Sequence, residues 1–546
     1  MIMKTAVEYA RLTAAKTFFC VLLALSFCGA AHAQFDAAKV APQPLAIARY
    51  FPDPPVVYAT PAFAPGRQDF TLHAQEGAFL EALAKRSPRV ALQTVGSSQQ
   101  GRVIRLAVLT GAQGSNAQLP TVLLMALQHG NEPAGGEAAL ALALSLATDR
   151  QDLLDRVNVL ILPRANPDAA ERFGRESANG IDINRDHLLL RTPEAQAIAA
   201  VVRRYNPQVV ADLHEFTVGG RWVSKFGAVM RDDALLQAAT VGNLSAGVGA
   251  AQTRYLQAAR NALAAAGHRV NDYHTTSADA KDLTVSMGGV NADTGRNVAG
   301  LRHAVSVLIE TRGFGIGRAH FARRVHSHVL IAMALIETAA ADGPALVNLQ
   351  RQAGSAATAQ ACTGNMAITV HATPQQRTLI FLDATSGELR EVQVDWRSSL
   401  ALKLESERPR PCGYLLGASQ TMAVQHLRDL GVQVERVGQA PGLWQVQAYV
   451  VQADTAGQRQ DARGTIADQQ GSIRVLTVST QDQTLVPDEG GYYVSMKQPL
   501  APLVSAALEP DTQNSFVANG LLASGGGQLL RVIQGPPVGS LGKALP

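Results

Sequence analysis

The chain is 546 residues long with 47% apolar and 17% charged residues, an ordinary globular composition that excludes a disordered chain and a membrane bundle. Such a length exceeds one small core and points to two domains. The formal net charge is only +4, and Lys4, Arg11 and Lys16, less Glu8, supply half of it, so nothing favours nucleic acid or an anionic membrane as partner.

Basic residues up to Lys16 precede the apolar run Thr17–Ala31, and Ala31-His32-Ala33 is a small-x-small cleavage signal. Residues 1–33 therefore read as a signal peptide cut after Ala33, giving an exported, periplasmic or secreted product. Leu25-Ser26-Phe27-Cys28 resembles a lipoprotein site, but Phe27 is bulky where a small residue is needed. No later stretch reaches about 18 uninterrupted apolar residues, so no stable membrane span is expected. Cys20 and Cys28 leave with the leader. Cys362 and Cys412 remain, to be joined in an oxidising compartment or left as two free thiols.

Residues 34–66 carry Pro42, Pro44, Pro52, Pro54, Pro55, Pro61 and Pro65 and read as an extended lead-in. A helix is expected over Leu72–Ala84, then strands at Val90–Val95 and Val103–Leu109 around the turn-rich segment Gly96–Arg102. The apolar run Thr121–Leu127 reads as a strand. His129 and Glu132 occupy the turn after it, and Pro133 opens a helix to Thr148. Val157–Leu162 is a further buried strand, followed by an unusually polar loop over residues 163–191. Thr192 caps a helix over Pro193–Tyr205, and Val209–Leu213 runs as a strand into His214. Leu235–Ala266 is Ala-rich and reads as helical. Ser306–Ile309 is a strand running into Glu310, and a long amphipathic helix covers Arg318–Ala341. Strands alternating with helices predict an α/β domain over residues 67–342, with a mixed, mostly parallel sheet between helices.

Residues 343–365 read as a linker. The following segment, 366–546, shows short runs at Ala367–Val370, Thr378–Leu382, Leu389–Val394, Trp444–Val450, Ile473–Val478 and Tyr492–Ser495, with one helix at Thr421–Leu430. This predicts a smaller, mostly-β accessory domain without a catalytic signature of its own.

Ligands in α/β sheets bind beyond the carboxyl ends of the strands, where His129, His214 and Glu310 all fall. A hydrolytic zinc site needs three protein ligands and an open position, and His129, Glu132 and His214 can supply the three. Asp212 lies on the same strand face as His214 and could support it. His187, His268, His274, His303, His320, His326 and His328 lie in helical or turn-rich context and read as packing or surface residues. Peptide hydrolysis also needs a base that later protonates the leaving amine, and Glu310 is placed for that; its competing role is an ion pair with Arg312. The loop Arg175–Arg185 offers guanidinium groups to a developing oxyanion or a carboxylate, or is simply a solvated loop.

The motifs His129-Gly130-Asn131-Glu132, Asn166-Pro167-Asp168, Arg175 to Arg185, His214 and Glu310, in this order, resemble the zinc carboxypeptidase family over roughly residues 67–342. The resemblance implies an eight-stranded mixed sheet between helices and one zinc ion held by His129, Glu132 and His214. Glu310 would be general base and acid, acting on peptide or protein C-termini. It further implies that Arg175, with Arg172 as competitor, polarises the scissile carbonyl. Asn184 and Arg185 would hold the terminal carboxylate, and Asp182 would orient His129. With the leader, the chain is similar to a bacterial exported form. One departure is the segment Leu283–Gly289, which lacks the substrate-capping Tyr often found there; Tyr273 is the nearest candidate, and Arg296 and Asn297 are possible further carboxylate anchors. Two other activities stay open at this stage. One is a zinc amidase or deacylase of the same fold acting on N-acyl amino acids or murein peptides. The other is a non-catalytic peptide- or glycan-binding protein.

Overall fold

In the computed structural model the described residues are 35–40, 42–439, 441–466, 471–523, 525 and 527–545. The signal peptide read at 1–33 lies outside them. Eight strands form the main sheet: β1 (Val90–Ser97), β2 (Val103–Leu109), β3 (Thr121–Ala126), β4 (Asn158–Leu162), β5 (Val209–Thr217), β6 (Ala234–Ala238), β7 (Val270–Asp272) and β8 (Val305–Phe314). Their order is β1-β2-β4-β3-β5-β8-β6-β7, with β3/β4, β3/β5, β5/β8 and β6/β7 parallel and the other three pairs antiparallel. The expected mixed eight-stranded sheet is present.

Alternate residues of the central strands enter two cores, one on each face. Val122, Leu124 and Ala126 of β3 pack with Val209 and Ala211 of β5 under the helices Pro133–Ala147, Ala246–Ala265 and Phe321–Asp342. Leu123, Met125 and Val210 face the other way, toward Ile198 and Val201 of helix Pro193–Tyr205. Burial on both faces explains why these strands read as continuous apolar runs. The order also places β3, β5 and β8 side by side, so residues at their carboxyl ends become neighbours in space.

Several expectations need correction. Leu235–Ala266 is not one helical stretch: β6 takes Ala234–Ala238, and the helix starts at Ala246. Antiparallel pairing of β6 with Val307–Thr311 of β8 overrides the helical preference of Ala-Leu-Leu-Gln-Ala. β5 and β8 also extend past His214 and Glu310, because the ladder continues through Thr311–Glu215 and Arg312–Phe216. The stretch read as a linker is largely a helix, Pro344–Ala359, with Leu346, Gln350, Ala353 and Gly354 buried.

The C-terminal part is mostly β, as expected, but its strands are longer than the sequence runs. Asn365–Asp383 and Leu389–Pro409 pair as one long antiparallel ribbon. That ribbon joins Ala228–Val229 on one side and Thr284–Ser286 on the other, so the division drawn at residue 366 cuts through a shared sheet. A further sheet of seven strands lies beyond it. Helix Thr421–Asp429 was legible in the sequence, whereas helix Ala501–Leu508 was not; both feed the core that includes Ile198 and Val201. Among the described residues no single helix is long and apolar enough to cross a bilayer.

Cys362 and Cys412 form a disulfide across 50 residues of chain, tying the segment after helix Pro344–Ala359 to the strand Gly413–Leu416. Closing a loop of that size in the unfolded chain is worth about 4 kcal/mol on chain-entropy grounds. Cys362→Ala/Cys412→Ala is therefore expected to lower the unfolding free energy by about 2–4 kcal/mol, read from the denaturant midpoint. An unchanged midpoint, or two reactive thiols in the native protein, would remove the bond from the account.

Candidate active site

β3 ends at Ala126, and Leu127, at φ 52°, swings the chain out of the sheet toward His129. Gly130 then passes against the Ala169–Ala170 peptide so closely that any Cβ would collide with it. Glu132 is the residue before helix Pro133–Ala147, whose first position takes the proline without losing a needed N–H. The corner is fixed from behind. Glu215 accepts from Ala134 N at 3.0 Å and pairs with Arg324 at 2.6 Å, while its own N–H donates to Glu132 Oε2 at 3.2 Å.

His129, Glu132 and His214 are 3%, 3% and 1% exposed, and one donor atom from each lies within 4.8 Å of the others. His129 Nδ1 is 2.8 Å from Glu132 Oε1, His214 Nδ1 is 2.8 Å from Glu132 Oε2, and the two Nδ1 atoms are 3.1 Å apart. Both imidazoles therefore turn Nδ1 toward one point. Their far nitrogens are held by carboxylates, His129 Nε2 by Asp182 at 3.0 Å and His214 Nε2 by Asp212 at 2.8 Å. Gln128 donates to Asp212 at 2.7 Å and is itself engaged by His187 at 2.8 Å.

The electrostatics ask for a cation. Burial alone would raise Glu132, yet His129 and His214 hold it well below the usual carboxylate range. Burial would lower His214, but Asp212 and Glu132 push it far above its ordinary value. Two imidazole nitrogens and a carboxylate, backed by two further carboxylates, match the borderline-soft donor set and outer partners that zinc takes. Asp212→Asn is expected to weaken zinc binding by about 10–100-fold, measured by competition with a chelator. Unchanged affinity would show that Asp212 does not support His214.

Glu310 stands opposite His214 in the β5/β8 register. It is 8% exposed, and its carboxylate makes no hydrogen bond or ion pair among the described residues. Burial, then the Glu132 charge, raises its carboxyl to about 8. The alternative ion pair with Arg312 is not made: Arg312 lies over the Phe51 ring at 3.9 Å and donates to Met230 O.

Arg175 is gripped by Asp182 through Nη2 at 2.7 Å and Nε at 3.1 Å, leaving Nη1 3.4 Å from Glu132 Oε1. Arg172 does not compete, because its guanidinium donates to the carbonyls of Glu176 and Ser177. Asn184 turns Nδ2 toward His214 Nε2 at 3.1 Å and accepts from Gly295 N at 3.0 Å. Arg185 already holds a carboxylate: Asp461 sits 2.6 Å from its Nη2. Asp461 and Arg463 come from the small hairpin Gln460–Asp461/Gly464–Thr465 of the C-terminal part, with Arg463 2.8 Å from Asp461 and 3.9 Å from Asp182.

His129, Glu132, Arg175, Asn184, Arg185, Glu310, Asp461 and Arg463 line one cavity of about 150 Å³, with Phe216, Trp222 and Phe314 on its apolar walls. A volume of that size suits a group about as large as benzene, that is, one side chain. Of the other described histidines named from the sequence, only His274 lines this cavity; His328 is engaged by Thr311 and His303 by Pro499 O. Tyr273, distant in sequence from the expected capping position, does line the cavity, as does Arg296. No residue pattern signals the hairpin, whose Asp461 lies 276 residues downstream of Arg185.

The profile described as zinc carboxypeptidase matches residues 77–315. "Carboxypeptidase 2" of Trichophyton rubrum is 28% identical over 457 residues, 81% of this chain and 82% of its own. "Carboxypeptidase D" of Mus musculus is 32% identical over 138 residues, 22% of this chain and 10% of its own. A solved metallo-carboxypeptidase from Burkholderia cenocepacia aligns with TM-score 0.38 and 18% identity over 48% of this chain and 69% of that one. The relatives that match over most of the chain are fungal, so a bacterial origin for this form finds no support in them. Residues 77–315 match the zinc carboxypeptidase family, and the His129, Glu132 and His214 cluster within them is that of a zinc-dependent metallopeptidase.

Proposed function

We propose that the protein is a metallocarboxypeptidase that releases the C-terminal residue of peptides, with His129, Glu132 and His214 as zinc ligands and Glu310 as general base. The observation that carries this reading is the Glu310 carboxylate, buried on the strand beside His214 and without a hydrogen-bond or ion-pair partner among the described residues. When bound, zinc supplies a Lewis acid that polarises a carbonyl and acidifies water. Glu310 accepts the proton of the attacking water and delivers it to the nitrogen of the departing residue, so it ends the cycle as it began. A carboxyl raised by burial and by Glu132 is a stronger base than an exposed one and suits both halves of that transfer.

Arg175 acts on the carbonyl oxygen. Asp182 fixes two of its nitrogens, so Nη1 is presented without rotamer freedom toward the zinc ligands, where charge develops. Arg185, backed by Asn184, takes the terminal carboxylate of the substrate in place of Asp461. The small cavity supports removal of one residue at a time. The leader at 1–33 and the Cys362–Cys412 bond support work outside the cytosol, in an oxidising compartment.

The test compares peptides differing only in a free or amidated C-terminus, incubated with zinc-loaded enzyme. Release of the last residue from the free acid alone is expected. Release from neither peptide, or equal release from both, would sink the reading.

A further inference from the structure

Five guanidinium groups line the active-site cavity, those of Arg175, Arg185, Arg221, Arg296 and Arg463. Arg175, Arg185 and Arg463 are paired with Asp182 and Asp461. Arg221 and Arg296 have no carboxylate within ion-pair distance among the described residues. Arg221 is half-buried and donates to Thr276 O. Arg296 is the stranger case, because it is only 2% exposed.

Its Nη2 donates to Gly289 O at 2.7 Å and its Nε to Asn297 Oδ1 at 3.2 Å, both neutral acceptors. Nη1 donates to nothing among the described residues. It lies where a Cβ on Gly288 would collide with it, so Gly288 makes room for the guanidinium along the cavity wall. Burial pulls Arg296 down to about 10, with Tyr273 and Asp293 opposing, and it stays charged at neutral pH. A buried charge without a counter-ion is costly and is relieved when an anion arrives. The same accounting disfavours a basic guest, since every carboxylate lining the cavity except Glu310 is already matched by a cation or a zinc ligand.

Resting on the carboxypeptidase reading, we propose that the enzyme prefers a C-terminal residue with an acidic side chain, glutamate or aspartate, whose side-chain carboxylate is held by Arg296. Such a residue brings two carboxylates, and the cavity provides two guanidinium groups for them, Arg185 and Arg296. Arg296 is then a specificity determinant. The neutral amide of glutamine has nearly the shape of glutamate but leaves the charge uncompensated.

The zinc-loaded enzyme is given peptides identical except for a last residue of Glu, Asp, Gln, Leu or Lys, and kcat/KM for release is measured. Glu or Asp should exceed Gln by about 10–100-fold, the range of a hydrogen bond to a charged group. Arg296→Gln should bring the Glu-to-Gln ratio close to one while Leu release continues, and Arg296→Lys should restore part of it. Gln, Leu or Lys released as fast as Glu by the wild type would overturn the acidic preference and leave the carboxypeptidase reading standing. An unchanged Glu-to-Gln ratio in a folded Arg296→Gln variant would also overturn it. Should that variant fold poorly, the wild-type ratio and Arg296→Lys decide. Release of no residue from any peptide would remove the carboxypeptidase reading and this inference with it.

Discussion

A Glu310→Gln variant is expected to keep its zinc and to lose about 10²–10⁴-fold in kcat, the range associated with a positioned general base. The substitution is close to isosteric, and the wild-type carboxylate makes no hydrogen bond or ion pair among the described residues that the amide could break. It also removes a charge that burial and Glu132 disfavour, so stability should not fall. A loss of activity therefore cannot be blamed on unfolding or on metal. Zinc content by elemental analysis, the melting temperature and single-turnover kinetics on one peptide separate these effects. Wild-type turnover in the variant would move the base elsewhere.

Removing a ligand should act differently. His214→Ala is expected to reduce zinc from one ion per chain to near zero and activity to background. It also leaves Glu132 and Asp212 buried without the imidazole that bridges them at 2.8 Å to each. Breaking a buried ionic contact on one side typically costs about 3–5 kcal/mol, so the denaturant midpoint should fall as well. Chelation of the wild type gives the same activity loss without the mutation, and added zinc should reverse it. Full activity in thoroughly chelated protein would exclude the metal from the reaction.

The metal cluster was legible in the sequence because its residues sit at ends of apolar strand runs, where periodicity and side-chain chemistry point the same way. His129 and Glu132 flank one tight corner, and His214 and Glu310 follow Val-rich runs that pair in register. The β6 strand was not legible, since Ala234–Ala238 has local helical preference and becomes a strand through its partners β8 and β7. The helix Pro344–Ala359 was read as a linker because its small residues resemble a spacer until their packing is seen. The Asp461–Arg463 hairpin is invisible for a different reason. Four short-strand residues carry no periodic signal, and their meaning comes from contacts with residues hundreds of positions away.

That hairpin bears on how such a chain can be divided or inherited. Arg185 has its nearest counter-charge on a segment beyond residue 366, and Arg302 and His303 donate to or meet carbonyls of Leu430 and Pro499. Leu427 and Val504 complete a core begun by Ile198 and Val201. A protein ended at residue 342 would thus uncover an apolar face and leave Arg185 only the more distant Asp293, 3.8 Å away, as ion-pair partner. The two parts form a single heritable unit: exchanging the C-terminal part for that of a relative would alter which carboxylate the enzyme meets first, even with every zinc ligand left in place.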